Sequence, residues 1–136
     1  MKPPVRWFGS KTRLAPQLVA LLPEHDHYVE PFAGSAAVLF AKRRSRLETL
    51  NDIDGEIVNL FQVLRSPGAA EELAALVELT PYSRDEFMLC KESSDDPIER
   101  ARRFLVLATQ AVGNAGQGWS YVANASAVSA SRSKRW

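Results

Sequence analysis

The 136-residue chain contains one cysteine, Cys90, so no disulfide can form within it. A single thiol excludes the disulfide scaffold of small secreted domains and the cysteine clusters of zinc sites. A reducing cytoplasm is the compartment this usage favours. Only two histidines are present, His25 and His27, with no partner at metal-ligand spacing. Both read as surface or turn residues near a strand, and no metal is implied. Long apolar runs are missing too: the stretch from Ser35 to Ala41 falls far short of the ~20 residues a membrane helix needs. No apolar core follows Lys2, which argues against a signal peptide. Neither G-x-G-x-x-G nor a P-loop occurs, so the usual marks of dinucleotide and nucleoside-triphosphate pockets are absent.

What is present suits a globular chain. The composition is 46% hydrophobic and 24% charged, which excludes a disordered or collagen-like polymer. The length allows one domain, burying on the order of two-thirds of its unfolded surface. The net charge of +1 conceals an asymmetry. Residues 1–50 carry 8 basic and 4 acidic groups, residues 51–100 carry 4 and 12, and residues 101–136 carry 5 and none. A basic end beside an acidic centre suits a polyanion partner; a solvated surface with a basic tail gives the same count.

Periodicity divides the chain. Leu14, Leu18, Leu21 and Leu22 recur at helical spacing and predict a helix over 11–22, with Ser10 as its N-cap and Pro23 closing it. Tyr28-Val29-Glu30 is β-prone and ends in the turn Pro31-Phe32-Ala33-Gly34. Residues 35–44 then read as a helix, 47–50 as a second strand, and Asn51-Asp52-Ile53-Asp54 as a loop. Asp54 is placed to cap a helix running to Leu64. Strand, turn, helix, strand, acidic loop, helix is the opening of a parallel α/β sheet. After Ser66 the pattern turns helical, with helices predicted over 69–77, 83–90 and 97–112. Asp95 or Asp96 caps the last of these, with Pro97 in its first turn. Gly, Ser, Ala and Asn dominate beyond Val112 and read as loop.

The chemistry concentrates in the first sixty residues. Glu30-Pro31-Phe32-Ala33-Gly34-Ser35 is followed, 22 residues after Glu30, by Asp52. A glycine turn between strand and helix lets a ligand approach the backbone at the carboxyl edge of a sheet. An acid at the end of the next strand can accept hydrogen bonds from ribose hydroxyls. Glu30, at the strand end, would repel a pyrophosphate. A nucleoside cofactor with a cationic part and no phosphate, such as S-adenosylmethionine, fits the electrostatics better. The plain alternative is a strand–turn–helix with Ser35 as a cap.

These blocks resemble the N-terminal part of the Dam-type adenine-specific DNA methyltransferases. Arg6-Trp7-Phe8-Gly9-Ser10-Lys11 is similar to that family's W-x-G-G-K block. Val29 through Ala36 resembles its cofactor motif E/D-P-F-x-G-x-G, and Asn51-Asp52-Ile53-Asp54 its N/A-D-I-N block. Pro97 through Leu105 resembles the helix leading into its DNA-recognition region. The resemblance implies an α/β, Rossmann-like S-adenosylmethionine-dependent methyltransferase fold, incomplete, with a helical insertion. It implies cofactor contacts from Trp7, Lys11, Glu30, Phe32, Gly34, Asp52 and Ile53. Asp52 would take the ribose, Ile53 the adenine, and Glu30, Phe32 and Gly34 the methionine end. The implied organisation is 1–65 for the start of the cofactor domain, 66–121 for a partial DNA-recognition insertion, and 122–136 for a flexible or truncated end.

Two positions depart from the family pattern: Ser10 and Ala36 stand where it has a second glycine. The catalytic D-P-P-Y block is absent, the only Pro-Pro being Pro3-Pro4, so no catalytic residue is assigned. In that family the block accepts the adenine amino hydrogens and stacks on the flipped base. The expectation is therefore a fragment, inactive alone, with double-stranded DNA and a missing C-terminal portion as partners, and no membrane. Arg100, Arg102 and Arg103 cluster on one predicted helix and suit phosphates, or equally pair with Glu99 and nearby acids. Gln110, Asn114, Gln117 and Trp119 offer amide and aromatic groups for bases, although the family's L-N-R stretch reads Leu107-Ala108-Thr109 here. A non-enzymatic nucleic-acid-binding remnant and an RNA adenine methyltransferase are the rival readings.

Overall fold

In the computed structural model, proline sets the first boundary. Lys11–Arg13 form a 3₁₀ turn, Leu14 breaks it, and helix α1 runs Ala15–Ala20 with Pro16 in its first turn. The continuous helix expected over 11–22 is thus two pieces. Pro16 has no N–H to donate and its ring excludes a regular helical turn before it. The structure describes residues 3–5, 7, 9–111, 118 and 119.

Strand β1 (His27–Glu30) and strand β2 (Leu47–Leu50) pair in parallel, in the register His27 to Leu47 through Glu30 to Leu50. Between them lies α2, Ala37–Ala41. It is shorter than the helix expected over 35–44, and both ends have causes. Ala36 takes a left-handed conformation (φ 53°), and Lys42 is already extended. Alternation along β1 buries Tyr28 and Glu30 and exposes His27 and Val29. Tyr28 packs with Ala15, Ala37 and Val38, flanked by Leu18, Val19, Leu22 and Leu39. On the opposite face, His27 Nε2 lies 2.8 Å from Thr49 Oγ1 across the strands.

Four helices follow: α3 (Gly55–Leu64), α4 (Pro67–Leu79), α5 (Arg84–Leu89) and α6 (Pro97–Gln110). Their starts are written in side chains. Asp54 Oδ1 accepts from the Glu56 amide (2.9 Å), Ser83 Oγ from the Glu86 amide (3.1 Å) and Asp96 Oδ1 from the Ile98 amide (3.0 Å). Pro67 and Pro97 occupy first-turn positions, where the missing N–H costs nothing. By contrast Ser10, expected as a cap, makes no capping bond. Its hydroxyl lies 2.7 Å from Ser35 Oγ and 2.7 Å from Thr12 Oγ1.

The chain divides into two units, Met1–Val58 and Asn59–Trp136, the division falling inside α3. Among the described residues, the sheet has two strands. The observed class is mixed α/β with a small parallel sheet. No described helix is long and apolar enough to cross a membrane.

Candidate functional site

The site lies past the carboxyl ends of β1 and β2. The ladder continues beyond the strands: Asn51 N donates to Glu30 O (3.0 Å) and Ala33 N to Asn51 O (2.9 Å). Asn51 Nδ2 adds a bond to Pro31 O at 3.2 Å. These bonds hold the loop 31–34 against the loop 51–54. Asp52 then closes the site. Its Oδ2 accepts from the Gly34 amide at 2.8 Å and its Oδ1 from the Asp54 amide at 3.0 Å. A carboxylate has about four acceptor positions, so capacity remains for a ligand's hydroxyls.

Gly34 sits at φ 49°, where a side chain is disfavoured by about 1–2 kcal/mol. A Cβ there would come within 3.1 Å of Trp7 Cδ1, so the indole packs directly on the glycine turn. The turn that carries Trp7 is closed by the Ser10 amide donating to Trp7 O (3.0 Å), with Gly9 at φ 72°. Gly34→Ala is therefore expected to lower the unfolding free energy by about 1–2 kcal/mol and to displace Trp7. Urea denaturation followed by circular dichroism checks the first effect. Ala36, also left-handed and fully buried, stands where the family motif has its second glycine. The backbone retains a glycine conformation although the residue has changed.

Glu30 is the buried acid among the described residues. Tyr28 OH donates to its Oε2 at 3.2 Å, and Lys11 Nζ lies 3.9 Å from its Oε1. Lys11 also donates to Phe32 O at 3.2 Å, tying the N-terminal block to the turn. Burial pushes the Glu30 carboxyl above its usual range, against the opposing pull of Lys11, Tyr28 and the Leu39 amide. Burial, then the Glu30 charge, pushes Tyr28 up to about 12, so its hydroxyl remains a donor. Two apolar side chains flank this edge uncovered: Phe32 is 74% exposed and Ile53 94%. All seven residues expected at a cofactor site are described. Five lie on the two facing loops or on the 3₁₀ turn bonded to them, Glu30 ends β1 beside them, and Trp7 packs on Gly34.

Of the residues expected to face DNA, Arg102, Arg103, Gln110 and Trp119 have partners within the chain. Arg102 is buried, and its guanidinium forks onto Glu99 (2.7 Å to each oxygen) and reaches Glu86 (2.6 Å) and Thr80 Oγ1 (3.0 Å). Arg103 bonds Glu99 Oε1 at 2.7 Å and the carbonyls of Glu92 and Ser93. Glu99 is pulled down to about 2, chiefly by its hydrogen bond from Arg102. The cluster read as suited to phosphates therefore serves the fold at Arg102 and Arg103; Arg100 is half-buried on α6. Gln110 is buried, donates to Pro81 O (3.2 Å) and accepts from Trp119 Nε1 (3.3 Å). Trp119 lies in tilted contact with Tyr82. Asn114 and Gln117 lie outside the described residues. Cys90 is buried beside α5, and burial raises its thiol to about 11.

Strand, glycine turn, helix, strand and an aspartate bonded across to the glycine turn make the first unit a parallel α/β edge. The chain belongs to the D12 class N6 adenine-specific DNA methyltransferase family, whose model matches residues 7–115. It is 30% identical over 119 residues to the type II methyltransferase M1.LlaDCHI of Lactococcus lactis subsp. cremoris, covering 79% of this chain and 40% of that protein. It is 29% identical over 101 residues to the type II methyltransferase M.MjaIII of Methanocaldococcus jannaschii, covering 68% of this chain and 33% of that protein. The chain thus spans less than half the length of these relatives.

Proposed function

We propose that β1, α2 and β2 open a Rossmann-like sheet and that its carboxyl edge binds S-adenosylmethionine for adenine-N6 methylation of DNA. The observation that carries this reading is the lock between Asp52 and the Gly34 amide, beside the uncovered Phe32 and Ile53. The residues fit the cofactor chemically. Asp52 retains acceptor capacity for ribose hydroxyls, Ile53 offers an apolar face to a purine, and Glu30 is a buried anion for the cationic methionine end. When bound, the cofactor supplies an electrophilic methyl group on sulfur. Trp7, Lys11 and Gly34 shape and close the edge from the N-terminal side.

No Asp-Pro-Pro-Tyr stands among the 136 residues. In this reading the chain holds the methyl donor, and a polypeptide carrying such a loop completes transfer to the adenine amino group. The helical unit faces the duplex, with Arg103, Gln110 and Trp119 framing it from within rather than contacting bases. Calorimetry with S-adenosylmethionine tests the proposal: binding by the chain supports it. DNA binding with no cofactor binding at millimolar concentration would overturn it. With labelled cofactor and adenine-containing duplex, the chain alone is expected to incorporate no methyl groups. Incorporation would show that the transfer chemistry lies within these residues.

A further inference from the structure

The proposed cofactor edge leaves one buried group unassigned. Strand alternation places Tyr28 two residues before Glu30, on the same inward face of β1. The Tyr28 ring is fixed from several sides. It packs on Ala15, Ala37 and Val38, and Lys42 Nζ stands 4.6 Å from its centroid. Lys42 is itself held by Glu48 (2.7 Å), Ser45 Oγ (2.7 Å) and the Arg43 carbonyl (2.9 Å). A ring so held presents its hydroxyl in one place, 3.2 Å from Glu30 Oε2. Glu30 Oε1 has no such donor from Lys11. At 3.9 Å the ammonium is beyond hydrogen-bond distance, and it donates to Phe32 O instead.

We infer that Tyr28 is a positioning residue: it holds Oε2 so that Oε1, on the Lys11 and Phe32 side, accepts from the cationic amino-acid end of the cofactor. This rests on the reading of Glu30 given above. The groups facing Glu30 are Tyr28 from β1, Lys11 from the 3₁₀ turn and the Leu39 amide from α2, with Lys42 across the Tyr28 ring. The Tyr28 hydroxyl favours the ionised carboxylate against burial. Losing it moves the protonation of Glu30 to higher pH, and cofactor binding then fails earlier as pH falls.

Tyr28→Phe keeps the ring and removes only the donor. The Glu30 carboxyl is followed by carbon-13 resonance in the labelled chain, and binding of S-adenosylmethionine and of adenosine by calorimetry across pH. The expected results are three. The Glu30 midpoint moves up, S-adenosylmethionine binds about ten-fold more weakly at neutral pH, and adenosine, which lacks the cationic end, binds as before. Glu30→Gln should remove the acid fall-off in S-adenosylmethionine binding altogether and still bind adenosine. An unmoved Glu30 midpoint overturns the inference, as does an equal loss for both ligands, which would mark a merely structural tyrosine. A wild-type chain that binds neither ligand overturns the cofactor reading and the ligand half of the inference with it. The Glu30 titration then decides whether Tyr28 sets the charge of that carboxyl.

Discussion

Asp52→Ala is expected to abolish S-adenosylmethionine binding and to lower the stability of the first unit by about 2 kcal/mol. Both effects have one cause. The carboxylate joins the loop after β2 to the glycine turn after β1, through Gly34 N at 2.8 Å, and shapes its own loop through Asp54 N at 3.0 Å. Without it, two backbone donors lose their partners, and water satisfies them only in part. Gly34 keeps its left-handed φ of 49° through the turn that this bond anchors. Releasing it frees Trp7, which packs on that glycine. The acceptors for a ribose vanish at the same step. Asp52→Asn is the sharper variant, because it preserves shape but sets an NH2 against one of the two amides. It should weaken binding by at least about ten-fold while costing less stability. Calorimetry and urea denaturation separate the two effects. Undiminished cofactor binding in Asp52→Ala would place the hydroxyl acceptor elsewhere.

Much of the first unit was legible because its signals are local. Leu47–Leu50 reads as a strand from its β-prone apolar ends and occurs with those bounds. The sequence Asp54-Gly55 announces the start of α3, and the Asp54 carboxylate caps it. Failures cluster where one residue overrides a pattern. Leucine spacing extends a helix across Pro16, yet proline restarts it. Apolar residues continue on both sides of α2, yet Ala36 turns left-handed and Lys42 leaves the helix to reach Tyr28 and Glu48. The departure from the glycine motif at Ala36 was the available signal. It was visible as a substitution, but its backbone meaning was not.

The candidate site shows the same division. Asp52 and Gly34 were readable as a pair from spacing, since the parallel register brings the two loops together. Tyr28 was missed as the donor to Glu30. The two-residue period of a strand put both on one face, so the signal was present in His27–Glu30. For the helical unit, composition left two readings open. Arginine, glutamine and tryptophan suit nucleic acid and buried networks alike. Only tertiary structure distinguishes them, because the carboxylates that claim Arg102 come from Glu86, 16 positions away, as well as from neighbouring Glu99.

That network makes Arg102 the position where the helical unit should be most sensitive. Arg102→Met is expected to cost about 3–5 kcal/mol, the range for removing one partner of a buried ion pair. The loss is large because the remaining groups cannot relax into water. The side chains of Glu86 and Glu99 are only 16% and 23% exposed, and both face the vacated guanidinium. Thr80 Oγ1, at the end of α4, loses a donor at the same time. Arg102 therefore ties α4, α5 and α6 together, and set against a total stability of roughly 5–15 kcal/mol the loss is severe. Arg102→Lys should recover only part of it, since an ammonium cannot fork onto both Glu99 oxygens. The acid dependence gives an independent check. Glu99, lowered to about 2, adds stability that is fully present above its ordinary value of 4.5 and is lost as pH falls toward 2. In Arg102→Met this loss should shrink, although Arg103 still holds one Glu99 oxygen. Cys90, buried with Sγ 3.5 Å from Glu86 Oε1, reports local opening. Its thiol should react with a disulfide reagent far faster in Arg102→Met than in the wild type at equal denaturant. Unchanged reactivity together with an unchanged urea midpoint would mean that the ion network contributes nothing net and that apolar packing alone holds the three helices.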